Sequence, residues 1–77
     1  MPEPLPEKVR EIVRRVLGPE INVDEPRFEL SSLKMLELIV ALEEEFDIHI
    51  SEDAPLARIT SSVKTMVSYL RKDHHLE

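Results

Sequence analysis

Chemistry is possible first at two serines, in the stretch "LSSLKMLEL" that covers residues 30–38. Both stand just before an apolar helical pattern, so capping has to be weighed before function. Ser31 falls at the N-cap position, where a hydroxyl accepts a hydrogen bond from an otherwise unpaired first-turn N–H; losing it costs about 1 kcal/mol. That accounts for one serine. Ser32 falls at the first helical position, exposed, where free N–H groups and the positive helix end favour an attached phosphate. No catalytic base lies near it in sequence. Ser32 is therefore a poor nucleophile for an enzyme of its own and a better acceptor for a group that another enzyme attaches.

The remaining chemistry-bearing residues add no catalytic set. His49 is the one histidine outside the tail and lies in an alternating apolar stretch, "DIHI". A lone histidine of that kind is usually a packing or surface residue. His74 and His75 are neighbours in sequence and point apart on a helix, a poor arrangement for a metal. Cysteine is absent, which removes disulfides and thiolate metal sites. The expectation is a chain that is not an enzyme, with no catalytic residues and no metal.

The helix that must position Ser32 carries most of the remaining information. Winding residues 33–47 at about 100° per residue gives two separate apolar stripes. Met35, Leu38, Ile39, Leu42 and Phe46 share one arc, as a core-facing stripe requires. Leu33, Leu36 and Val40 form a second row, with Glu37, Glu43, Glu44 and Asp47 among and beside them. Glu43 and Asp47 are like charges four apart, which costs about 0.2–0.5 kcal/mol on an isolated helix. Such crowding fits a docking face, aliphatic for contact area and acidic for steering toward Arg and Lys on a partner. Periodicity alone equally allows a wide apolar helix with a wet edge.

Around this helix the order reads helix, long loop, helix, short turn, helix. In "PEKVREIVRRVLGP" the residues Val9, Ile12, Val13, Val16 and Leu17 follow a 3.6-residue period, with Pro6 in the first turn and Gly18-Pro19 as a stop; this predicts a helix near 6–17. Residues 18–31 lack helical period, and a loop this long needs a function or pins of its own, here Ile21, Val23, Phe28 and Leu30. The second helix is predicted over Ser32 to Phe46. Asp47 to Ile50 alternates like a strand but has no partner strand, so an extended connection is expected, then a helical turn around Pro55 to Arg58. A last helix after Thr60-Ser61 places Val63, Met66, Val67 and Leu70 at i, i+3, i+4 and i+7. Arg71 and Lys72 suit its C-terminus. The tail "DHHLE" is expected to fray, and Leu76-Glu77, which reads like a cloning scar, is set aside.

The expected fold is thus all-α, a small bundle of four helices with three main ones, a short third helix and a long loop after helix 1. Seventy-seven residues suggest one domain over 1–77 with its core at about 6–72. The formal charge is −6 and is concentrated in the middle: residues 29–53 carry eight acids against Lys34 alone. An acidic patch repels nucleic acid and anionic lipid and steers toward basic protein surfaces. The N-terminal "MPEPLPEKVREIV" lacks the basic segment and apolar run of a secretory signal, and no stretch is long enough to span a bilayer. A cytoplasmic location is expected.

The run "LSSLKMLELIVALEEEFDIHI" resembles the second-helix region of acyl carrier proteins, whose pattern is Asp-Ser-Leu followed by an apolar and acidic helix ending in Glu-Glu-Glu-Phe. The helical order, the long first loop and the closing "ITSSVKTMVSYL" are similar too, so the resemblance covers roughly residues 6–72. It implies that Ser32 receives covalent 4′-phosphopantetheine from coenzyme A, and that the thiol of this arm carries acyl groups as thioesters. It implies partner contact at Leu33, Leu36, Glu37, Val40, Glu43 and Glu44. The implied partners are a phosphopantetheinyl transferase and acyl-processing enzymes with basic docking surfaces, serving a monomeric carrier. Three positions depart from the pattern. Ser31 replaces the aspartate before the modified serine, Glu29 stands where glycine is frequent, and Lys34 follows the Ser-Leu pair where an acid or neutral residue is common. A first-turn lysine opposes the helix dipole by a few tenths of a kcal/mol, or pairs with a phosphodiester on Ser32. These departures point to a carrier specialised for a fatty-acid, lipid or polyketide-type pathway. The alternative is an unmodified acidic interaction module with the same fold.

Overall fold

Apolar residues at helical spacing build α1 (Leu5–Leu17), which buries Leu5, Val9, Ile12 and Val13 along one face. The structure, a computed structural model, describes residues 4–76. Gly18 ends α1 at φ 106°, a backbone geometry that L side chains rarely adopt, and its N–H donates to the Arg14 carbonyl at 2.9 Å. The chain then runs without a helix to Ser31. Val23 and Phe28 are buried, Ile21 and Leu30 are half-buried, and the Phe28 N–H donates to the Ser61 carbonyl at 2.6 Å. The long loop is therefore pinned toward its C-terminal end to the junction before the last helix.

The other helices are α2 (Ser32–Phe46), α3 (Leu56–Ile59) and α4 (Val63–Asp73). Helix α2 buries Leu38, Ile39, Ala41 and Leu42, with Met35 and Phe46 half-buried. It ends on Asp47 in the left-handed region, φ 53° and ψ 52°, which the short polar side chain of aspartate tolerates. The Ile48 N–H reaches back to the Glu43 carbonyl at 3.1 Å, closing the helix in a Schellman-type turn without glycine. Residues 48–50 follow without regular structure, Ile50 is buried, and a turn in which the Ala54 N–H donates to the Ser51 carbonyl at 3.0 Å separates them from α3.

Helix α4 opens with a capping box in which Ser62 Oγ accepts from the Thr65 N–H at 3.1 Å and Thr65 Oγ1 accepts from the Ser62 N–H at 3.0 Å. Helix α1 packs on both α2 and α4, and α3 bridges α2 and α4. The fully buried centre holds Val9, Ile12, Val13, Leu38, Leu42, Met66 and Leu70, and Phe28 is the one aromatic side chain among the buried core residues. The described part of the tail does not fray as expected. His75, at φ 56°, turns the chain so that the Leu76 N–H donates to the Leu70 carbonyl at 3.1 Å, and Leu76 packs half-buried on the core. Glu77 lies outside the described residues. Among the described residues, no helix is long and apolar enough to cross a membrane.

Candidate functional site

The two serines divide their work at the start of α2. Ser31 is extended, at φ −69° and ψ 162°; its Oγ accepts from the Lys34 N–H at 3.2 Å and its carbonyl from the Met35 N–H at 3.0 Å. The side-chain cap is thus made without Ser32. Ser32 is exposed, and its hydroxyl has no hydrogen bond among the described residues. The N–H groups of Ser32 and Leu33 are unpaired there as well, which leaves two donors and the positive helix end around that hydroxyl.

Among the described residues, no base is hydrogen-bonded to it. His49 is exposed and follows the far end of α2, roughly 20 Å from Ser32 at 1.5 Å per residue. The His74 Nε2 lies 3.1 Å from the Tyr69 hydroxyl, with the rings edge to face, and this pair belongs to the end of α4. Burial, reinforced by the charges of Asp73 and Glu43, pushes the Tyr69 phenol above its ordinary range. Neither histidine is placed to act on Ser32.

Lys34, a poor choice for a helix first turn, points its charge elsewhere. Its Nζ lies 3.0 Å from Glu37 Oε1 and donates to the Val16 carbonyl at 3.4 Å, in the last turn of α1. A cation that opposes the dipole of α2 thus sits at the negative end of α1. To meet an anion on Ser32 it would have to leave both partners.

Down the outer side of α2, Leu33, Leu36 and Val40 are 65%, 51% and 49% exposed, the large apolar side chains that the fold leaves in solvent. Isolated exposed leucines are common, whereas three in one row form a continuous patch. Leu36, Val40 and Ala41 floor a shallow cleft, with Glu37, Glu44 and Glu45 on its rim and Arg15 of α1 closing one side. Glu44 is exposed on this rim. Glu43 is different: half-buried, it accepts the Ile50 N–H on Oε2 at 2.8 Å and lies 3.6 Å from His49 Nδ1. Its carboxylate fastens the connection after α2.

Sequence reasoning did not single out Arg15, Ala41 or Glu45 for this face. Arg15 belongs to another helix, and only the packing of α1 on α2 brings it here. Glu45 was legible as part of the acidic run, but its 3.9 Å approach to Arg15 was not.

Residues 7–70 match the family described as a phosphopantetheine attachment site. An acyl carrier protein of Clostridium acetobutylicum (strain ATCC 824) is 40% identical over 73 residues, which span 84% of this chain and 90% of that protein. No solved structure matches the chain significantly. The exposed hydroxyl and open donors at the head of α2 are compatible with a covalently attached phosphodiester. With the family match extending over most of its length, the chain belongs to the acyl carrier protein family, whose prosthetic group is covalently attached 4′-phosphopantetheine.

Proposed function

We propose that Ser32 is the attachment point and that the chain carries acyl intermediates for a specialised fatty-acid, lipid or polyketide-type pathway. The observation that carries this reading is the division of labour at the head of α2. Ser31 satisfies the cap, so the Ser32 hydroxyl stays in solvent without a structural duty. When bound, 4′-phosphopantetheine supplies a flexible arm whose thiol holds acyl groups as thioesters. The chain's own contribution is positional. The Ser32 and Leu33 N–H groups and the positive end of α2 stabilise an anion at Oγ. Because no histidine is near Oγ, deprotonation falls to a phosphopantetheinyl transferase.

Acyl-processing partners with basic surfaces dock, in this reading, on Leu33, Leu36, Glu37, Val40 and Glu44. Glu43 shares the face by position and holds the 48–50 connection by its hydrogen bond. In this reading the chain works as a monomer in the cytoplasm.

Incubation of the apo protein with coenzyme A and a broad-range transferase tests the attachment, with intact mass as the readout. The expected result is a gain of one phosphopantetheinyl group that Ser32→Ala abolishes. No gain, or a gain that persists in Ser32→Ala, refutes it. Ser31, which stands where the family has aspartate, favours a second reading, an acidic interaction module that is never loaded. That reading predicts that the protein from its own cell is wholly unmodified, and a loaded fraction there removes it.

A further inference from the structure

The outer face of α2 is less acidic than its run of glutamates implies, because the chain answers two of its carboxylates itself. Glu37 Oε1 lies 3.0 Å from Lys34 Nζ, and Glu45 Oε1 lies 3.9 Å from Arg15 Nη2. Glu43 is committed to the Ile50 N–H. Among the described residues, Glu44 is the carboxylate on the cleft rim with no cation within ion-pair distance. The apolar floor therefore has an open anion on one part of its rim and a cation, Arg15, on another.

The two cations are not equally available. Lys34 is doubly held, by Glu37 and by the Val16 carbonyl. Arg15 has a long pair with Glu45, and its side chain is 63% exposed, so solvent and salt weaken that hold. An incoming carboxylate can recruit Arg15 at little cost. An incoming cation at that point meets like charge, which disfavours wrong partners.

We propose that this cleft selects a partner of mixed charge, and that Arg15 is its specificity determinant. The fitting surface has a basic side chain opposite Glu44, an apolar side chain seated over Leu36, Val40 and Ala41, and a carboxylate opposite Arg15. A uniformly basic surface fits less well. This rests on the docking face proposed above and adds the partner's charge pattern to it.

Two stapled helical peptides serve as probes, both with a central leucine. One has arginines on one flank and glutamates on the other; the second has arginines on both. Each is titrated against the isotope-labelled full chain at low salt, and shift changes give Kd and the binding position. The parent binds the mixed peptide about five-fold more tightly, Arg15→Glu reverses the order by a similar factor, and the difference shrinks at high salt. The inference is overturned when the parent prefers the all-arginine peptide, or when Arg15→Glu leaves the ratio unchanged while Leu36→Asp still weakens both. In those cases the docking face survives. Unchanged affinity for both peptides in Leu36→Asp instead removes the docking face, and the inference with it.

Discussion

Replacing Glu43 by alanine removes the acceptor that holds the Ile50 N–H at 2.8 Å. Ile50 is buried, so its N–H is left poorly solvated where the chain passes from α2 toward α3. A hydrogen bond to a charged group contributes about 1.5–3 kcal/mol, and the Glu43 side chain is 25% exposed, so the lower half of that range, about 2 kcal/mol, applies. For a domain of this size a loss of about 2 kcal/mol lowers Tm by roughly 8–16 °C. Thermal unfolding followed by circular dichroism measures it, with Glu44→Ala as the exposed control that stays within about 0.5 kcal/mol of the parent. Glu43→Gln keeps an acceptor and loses the charge, so it falls between the two. Equal stability of Glu43→Ala and Glu44→Ala refutes the structural role of this carboxylate. If Glu43→Gln is as unstable as Glu43→Ala, the hydrogen bond is not what the side chain contributes.

Ser31→Ala removes the cap on the Lys34 N–H and costs about 1 kcal/mol in thermal unfolding, while Ser31→Asp retains or improves stability by facing the positive helix end with a charge. Leu36→Asp changes stability by less than about 0.5 kcal/mol because the side chain is already half in solvent, yet it lowers kcat/KM of an acyl-processing partner at least roughly tenfold; a large stability loss would place Leu36 in the core. Leu42→Ala, by contrast, empties a fully buried site and costs about 2–5 kcal/mol by denaturant unfolding. Tyr69 ionises above its ordinary 10.0, first through burial and then through Asp73 and Glu43. The folded chain holds that proton more tightly than the unfolded one, so the contribution is complete below the unfolded value and is lost as pH rises through the folded one. Phenolate absorbance gives the midpoint, and Asp73→Asn moves it back toward 10.0; a parent midpoint at or below 10.0 contradicts the burial.

The main helices were legible because their order is written in spacing: Val9, Ile12 and Val13 in α1, Leu38, Ile39 and Leu42 in α2, Met66, Val67 and Leu70 in α4. The Ser31 cap was legible for the same reason, since it acts within its own turn, whereas the Ser62–Thr65 capping box of α4 was not singled out. What was hidden depends on contacts across elements. Ala41 has too small a side chain to register in an apolar pattern, and it is buried because α2 packs on α1. Glu43 reads like its neighbours Glu44 and Glu45, and no spacing rule shows that its carboxylate folds back to a backbone N–H seven residues on. The tail reads as frayed because its anchor, the Leu70 carbonyl, is reached only through the left-handed turn at His75.

The head of α2 shows how a departure from the family pattern is absorbed without closing the site. Losing the family's aspartate removes a charge that would face the helix end, and a lysine three residues later should worsen the deficit, each by a few tenths of a kcal/mol. The first turn of α2 indeed contains no acid. Lys34 escapes the conflict by pairing with Glu37 one turn along α2 and reaching to α1, where the Val16 carbonyl receives it. The penalty is thereby turned into a link between the two helices, and the space around the Ser32 hydroxyl stays clear of this cation. The first turn of α2 supplies no acidic counter-charge to its positive end until an anion is attached there. In the proposed carrier, a phosphodiester on Ser32 is that anion, so the same absence that makes the unloaded first turn weaker gives the loaded one more to gain.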